Sequence, residues 1–264
     1  MRSSSSVKLL AQIPSSGDVL FRRRGLLPLL LVPLFLLGLI DARLPAALPA
    51  GARAWQLLSL LVALAGLAVR VAAVGTAPSG TSERSTTSLR ASQLRTTGLY
   101  SVVRHPLYLG NTLTAIGLAC FTTVWYVPAI VAVLAMLYHE RIAAREEVFL
   151  EETFGADFVR WANRVPAFVP RLSGYVRGET PFLWRRVLGR EFHALFVIGA
   201  VLFALDLARS ALATGGLVFD PTWTGFFLLT AAIFIACSLL KKHTRVLKVE
   251  EESQSHVPAF PRSD

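Results

Sequence analysis

The stretch GLYSVVRHPLYLG, Gly98 to Gly110, sets a strongly polar Arg104-His105-Pro106 step directly against a long apolar run. Pro106 has no amide hydrogen and a fixed φ, which suits the first turn of a helix, and it biases His105 toward extended backbone. A helix starting there presents unpaired N–H groups and the positive end of its dipole beside Arg104 and His105, an arrangement suited to a carboxylate or phosphate. The same residues also fit a plainer reading, in which basic side chains flank a membrane helix at the interface. The tripeptide alone leaves both open.

Composition places the step in an integral membrane protein. Of 264 residues, 53% are hydrophobic and 17% charged, and the mean hydropathy is +0.53, too apolar for an ordinary soluble domain. The net charge of +10 would suit nucleic acid, but Lys and Arg cluster between the apolar segments, so it reads as topology and no nucleic-acid partner is expected. Cys120 and Cys237 fall inside apolar runs with no neighbouring Cys or His at a metal spacing, so buried free thiols are expected and no metal site.

The fold class is therefore all-α, a polytopic helical membrane protein with about six transmembrane helices. Leu26 to Ile40 is a short first span containing Pro28 and Pro33, read as a retained helix rather than a cleaved signal peptide. Trp55 to Val74 is a second span, its Arg70 close enough to the end to snorkel to the interface. A Ser/Thr/Gly-rich loop follows. The apolar run Leu107 to Tyr138, broken near Phe121–Tyr126 and at Pro128, predicts a tight central helical hairpin. Glu140 to Arg164 predicts an amphipathic cytoplasmic helix, and Ala194–Leu207 and Trp223–Leu240 complete the spans.

Charge sets the orientation. Lys and Arg number five in 1–25, four in 79–105, nine in 139–190 and five in 241–264, whereas the opposite connections hold Arg43, Arg53 and Arg209. Both termini, both long polar loops and the candidate site are then expected on the cytoplasmic side. The organisation read from this is an N-terminal tail (1–25), two spans (26–78), a core of polar loop, hairpin and cytoplasmic helix (79–171), a basic connector (172–190), two further spans (191–240) and a tail (241–264).

Downstream of the hairpin the chain reads RIAAREEVFLEETFGADFVRWANRVPAFVP, Arg141 to Pro170. Together with RHPLYLG, this segment resembles the isoprenylcysteine carboxyl methyltransferase and phospholipid methyltransferase family of membrane enzymes, whose members pair an RHPxYxG step with a distal EExxL…FG…VP segment. The resemblance covers about residues 90–171. It implies an S-adenosyl-L-methionine-dependent methyltransferase acting on a lipophilic acceptor, either a prenylcysteine-type carboxylate or a lipid amine. It further implies that Tyr100, Arg104, His105, Pro106, Leu107 and Tyr108 line the cofactor pocket, with Glu146 and Glu147 closing it, and that Ser92 to Arg95 contribute another contact. Arg141 and Glu146 are the implied catalytic pair, Arg141 toward an anionic acceptor, although its offset from Glu146 is one residue longer than the family pattern. Phe154-Gly155 and Val165-Pro166 read as structural.

Charges on such a cofactor fit the division: its carboxylate suits Arg104, His105 and a helix N-terminus, its amine and ribose suit carboxylates. Two other classes stay open, an NADPH-dependent sterol-type reductase and a non-catalytic membrane scaffold. The last two spans lie outside the resemblance. They are expected to shape the acceptor entrance or to form a homodimer, and Asp206, the one acid within them, to face a partner helix or the interface.

Overall fold

A computed structural model describes residues 27–42, 50–76, 93–178 and 181–244. After a 3-10 turn, Leu27–Leu31, the helices are α1 (Val32–Ala42), α2 (Ala50–Gly75), α3 (Pro106–Cys120), α4 (Tyr126–Phe154), α5 (Ala156–Ala162), α6 (Trp184–Thr214) and α7 (Pro221–His243). The protein is an all-α polytopic membrane protein, as expected. Among the described residues four helices, α2, α4, α6 and α7, are long and apolar enough to cross a membrane. The other two expected spans are shorter helices: Leu29–Ala42 falls below spanning length, and the 15 residues of α3 reach only about 22 Å of a core about 30 Å thick.

Small residues let the helices meet. A Cβ placed on Gly66 of α2 would lie 2.5 Å from the Gly110 carbonyl oxygen of α3, and a Cβ on Gly117 would lie 2.4 Å from the Ala63 nitrogen. Two helices in lipid gain no hydrophobic energy by associating, so this backbone-to-backbone approach is what holds α2 against α3. Phe121 and Trp223 meet edge to face at 4.9 Å in a core that includes Leu39, Ala63, Ile198, Leu202 and Leu205. Leu57, Leu58 and Leu61 of α2, Val133, Leu134 and Leu137 of α4, and Leu228 and Leu229 of α7 face outward, as helices bathed in lipid require.

The hairpin breaks where two threonines follow Phe121. Thr122 turns its hydroxyl onto the Ala119 carbonyl at 2.9 Å, an alternative to continuing the helical ladder, and Thr123 adopts φ 64°. Beyond Tyr138 the expectation needs correcting. The hairpin's second helix and the charged cytoplasmic helix are one continuous rod to Phe154, since nothing between them breaks a helix. It ends where Gly155 takes φ 55°, conformational space open to glycine. Similarly, α6 starts at Trp184, so the last turns of the expected 172–190 connector are helical.

Three further expectations change. Arg70 does not simply snorkel: it pairs with Glu191 of α6 through Nε at 2.8 Å and Nη2 at 3.0 Å, and Nη1 donates to Asn111 of α3. Asp206 does not rely on a partner helix alone: Arg209 of its own helix pairs with it at 2.8 Å, both side chains buried, and the charge of Arg53 on α2 also reaches it. Among the two free thiols, Cys237 is buried but Cys120 is half-buried.

Candidate functional site

Residues 93–105 and 165–176 run alongside each other at the polar end of the hairpin. Gly98 N–H donates to the Val176 carbonyl at 2.8 Å, Arg171 N–H to Val102 at 2.9 Å, Arg104 N–H to Pro166 at 2.9 Å and His105 N–H to Ala167 at 3.2 Å. Pro166 and Ala167 thus carry the Arg-His-Pro step on their carbonyls. Pro106 occupies the first turn of α3 with His105 as its N-cap at φ −120° and ψ 64°, out of the helical region as a residue before proline is biased to be but short of the extended backbone the sequence predicts.

The two halves of the motif meet across the hairpin. His105 Nε2 lies 2.8 Å from Glu147 Oε1, and His105 Nδ1 lies 3.8 Å from Glu146 Oε2. Tyr108 donates its phenol proton to Glu146 Oε1 at 2.5 Å, and its ring stacks on His105 at 5.6 Å between centroids. The ring of Phe168 covers His105 from the returning segment at 5.8 Å. Arg104 Nε is 3.4 Å from Glu147 Oε1, within ion-pair range but without hydrogen-bond geometry, so it remains a buried donor with no hydrogen-bond partner among the described residues. Such a donor costs free energy unless something bonds to it.

Not every expected residue joins. Pro106 and Leu107 contribute through the first turn of α3. Tyr100 sits on a 3-10 turn, Leu99–Ser101, where its hydroxyl accepts from Arg95 Nη1 at 3.1 Å and its carbonyl accepts from Trp161 Nε1 at 3.0 Å. Arg95 also lies over its ring at 5.3 Å; Ser92 is outside the described residues. Arg141 is not brought to the cluster: it donates to the Leu137 carbonyl of its own helix at 2.9 Å, and five residues along a helix from Glu146 is a rotation of about 140°. A cleft of about 500 Å³, lined by Ser101, Trp161, Arg164, Arg171, Gly174 and Val176 among others, lies beside the cluster and includes none of the expected site residues.

The sequence reading missed His139, Asn111 and Thr112. His139 Nδ1 lies 2.9 Å from Thr112 Oγ1 and its ring stacks on Tyr108 at 5.0 Å. The available signal was spacing, because His139 and Glu146 are seven residues apart and so share a helix face. Among the described residues no group of three or more His, Cys, Asp or Glu could hold a metal ion.

Residues 57–157 match the phospholipid methyltransferase family model. The matched segment contains Arg104, His105, Tyr108, Glu146 and Glu147, and with them the whole cluster around the hairpin. Its relatives carry other names. The cobalt-zinc-cadmium resistance protein CzcN of Cupriavidus metallidurans is 42% identical over 87 residues, which cover 33% of this chain and 39% of that protein. The nickel-cobalt-cadmium resistance protein NccN of Alcaligenes xylosoxydans xylosoxydans is 35% identical over 127 residues, 46% of this chain and 58% of that protein. The chain therefore matches between 39% and 58% of the length of these curated relatives. No solved structure matches.

Proposed function

We propose that the protein is an S-adenosyl-L-methionine-dependent methyltransferase of the membrane, transferring a methyl group to a lipophilic acceptor. The observation that carries this is the joining of the two motif halves: His105 and Tyr108 on one arm of the hairpin, Glu147 and Glu146 on the other, beside the unbonded Nε of Arg104. These residues fit the cofactor's groups. Arg104 would receive its carboxylate, Glu146 and Glu147 its amine and ribose hydroxyls, and Tyr108 and Phe168 would supply aromatic surface. When bound, the cofactor supplies an electrophilic methyl on a sulfonium. The chain's own part is to bind, orient and exclude water, since in-line displacement needs position more than strong acid or base. Because the site lies where the hairpin meets the polar segments, an acceptor can enter laterally from the bilayer between helices.

With 23 of the basic residues on one side of the expected topology, we place the site and both termini in the cytoplasm. Calorimetry of the detergent-purified full chain with S-adenosylhomocysteine tests the cofactor. Binding is expected, and none up to about millimolar, the weak limit of a useful site, would sink the proposal. Thermal protection by NADPH but not by S-adenosylhomocysteine would favour a reductase instead. Label transferred from methyl-labelled cofactor into a lipid extract by the wild type, and not by Glu146→Ala, separates an enzyme from a scaffold. The names of the relatives support a setting for this activity in metal resistance. Loss of cobalt or cadmium tolerance in a host carrying Glu146→Ala in place of the wild type would place methylation in that role.

A further inference from the structure

The segment that returns along the Arg-His-Pro step lies outside the spanning helices, yet it exposes apolar side chains. In RLSGYV, Arg171 to Val176, Arg171, Ser173, Gly174 and Val176 line the cleft of about 500 Å³, whereas Leu172 and Tyr175 do not. Those two are 77% and 60% exposed, and Val169, three residues before Leu172, is 73% exposed. Apolar side chains held out at three-residue intervals along one short stretch need cover. The stretch lies where the apolar hairpin begins: Arg171 N–H bonds to the Val102 carbonyl, just upstream of Pro106, which opens α3. At that level of the bundle the cover is the bilayer surface, and Val169, Leu172 and Tyr175 form a lip that dips into it.

Behind the lip the cleft is basic. Arg160 and Arg164 enter it from α5 and the turn that follows, Arg171 enters from the lip itself, and Asp157 is the one acid among the described residues that line it. Asp157 is already paired with Arg160. Arg164 and Arg171 are exposed, and among the described residues no carboxylate pairs with either. A concave site with two uncompensated guanidinium groups concentrates anions, and the guanidinium fork matches phosphate oxygens. The apolar lip then selects an anion that carries a lipid body. A zwitterionic phospholipid has the same phosphate but brings an ammonium group that the arginines repel.

We propose that this cleft binds the phosphate of a phospholipid of net negative charge, a ligand distinct from the methyl acceptor, with its acyl chains passing over Leu172 and Tyr175 into the leaflet. None of Arg104, His105, Tyr108, Glu146 and Glu147 lines the cleft, so the assignment holds whether or not a cofactor binds at the cluster. The walls of the cleft still reach the cluster through the backbone. Val176 N–H donates to Ser101 Oγ at 2.8 Å, and Arg104 and His105 donate their N–H groups to the carbonyls of Pro166 and Ala167, which lie between Arg164 and Arg171 in the chain. A headgroup that draws the two arginines together therefore braces the segment on which the Arg-His-Pro step rests.

The test reconstitutes the full chain in phosphatidylcholine nanodiscs holding a small fraction of a photoactivatable lipid, either phosphatidylglycerol or phosphatidylcholine, with the diazirine near the headgroup. Captured positions are mapped by mass spectrometry. The phosphatidylglycerol probe is expected on residues 160–176, and the phosphatidylcholine probe there only at background. Arg164→Gln/Arg171→Gln should lower phosphatidylglycerol capture on that segment about fivefold or more, the scale of losing basic charges at an anionic surface. Capture of the same probe near Lys241 and Lys242 should stay unchanged, which reports that the variant has inserted. Arg164→Lys/Arg171→Lys keeps the charges and should retain most of the capture. Unlabelled phosphatidylglycerol should compete with the probe, and glycerol phosphate, the headgroup chemistry without acyl chains, should not at the same concentration. Equal capture of the two probes on 160–176, no capture there, or capture unaltered in the Gln pair each overturn the assignment. Competition by glycerol phosphate as strong as by the lipid overturns it in favour of a soluble anion, and both wild-type comparisons decide the matter even where a variant fails to insert.

Discussion

Glu147 takes the ring N–H of His105 at 2.8 Å and stands 3.4 Å from Arg104 Nε, so two basic side chains converge on one carboxylate at the start of α3. A charge-assisted hydrogen bond is worth about 1.5–3 kcal/mol, and removing one that reaches the cofactor costs about tenfold to hundredfold in affinity. His105→Ala and Glu147→Ala are each expected to weaken S-adenosylhomocysteine binding by that amount in calorimetry, with insertion and expression unchanged. Equal affinity in both would return them to the role of interface anchors. Arg141→Ala is the contrasting case. Among the described residues its guanidinium bonds only to the Leu137 carbonyl one turn away, so S-adenosylhomocysteine affinity should stay within about twofold, the scale of a residue that makes no contact with the ligand. The sequence motif names both kinds of residue alike, and only the helix rotation between positions 141 and 146 separates them.

The α3 helix is held from behind by a node that no local pattern announces. Glu191 of α6 fixes Arg70 of α2 by two hydrogen bonds, and Arg70 passes the restraint to Asn111, one residue past Gly110. Glu191 is 4% exposed, and breaking a buried pair strands the other charge at a cost of about 3–5 kcal/mol. Glu191→Ala should therefore lower the midpoint of denaturant-induced unfolding in detergent, and the charge-swapped Arg70→Glu/Glu191→Arg pair should recover part of the loss. Gly66→Leu should be as damaging, because its side chain would displace the α3 backbone. The hairpin itself was legible, since Pro106, the apolar run and the Phe121–Tyr126 break are local signals. The continuity of α4 through Tyr138 was not, because a change from lipid-facing to charged composition marks where the membrane ends and not where a helix does. Glu191 was hidden for a related reason: in WRRVLGREFH, Trp184 to His193, it falls between the basic connector, which ends at 190, and the apolar run that starts at Ala194, so nothing local marks it as facing another helix. Its partner is 121 residues away.

At the scale of the molecule, the same node changes what the terminal helices are for. They lie beyond the family match, and by sequence alone deleting residues 191–264 should spare cofactor binding. With Glu191 removed, however, Arg70 loses its counter-charge beneath Asn111, and the core loses Ile198, Leu202, Leu205 and Trp223 from around Ala63. The truncated protein is therefore expected to lose S-adenosylhomocysteine binding, whereas ending the chain at Thr244 should preserve it. The opposite end of the bundle is closed by charge. Arg53 of α2 grips Asp220, the N-cap of α7, at 2.6 Å and 3.0 Å, and Asp220 also accepts from the Thr222 and Trp223 amides. The hydrogen bond from Arg53 is the largest cause holding the Asp220 carboxyl at about 2, below its ordinary 3.8. A carboxyl with a depressed folded-state pKa binds fewer protons folded than unfolded. Its contribution is full above about pH 4 and is lost as the pH falls toward about 2. Thermal unfolding of the wild type should thus show a loss of stability across that window that Asp220→Asn lacks, the variant starting less stable at pH 7. An unchanged acid limb in Asp220→Asn would show that the Arg53 clasp does not couple α2 to α7.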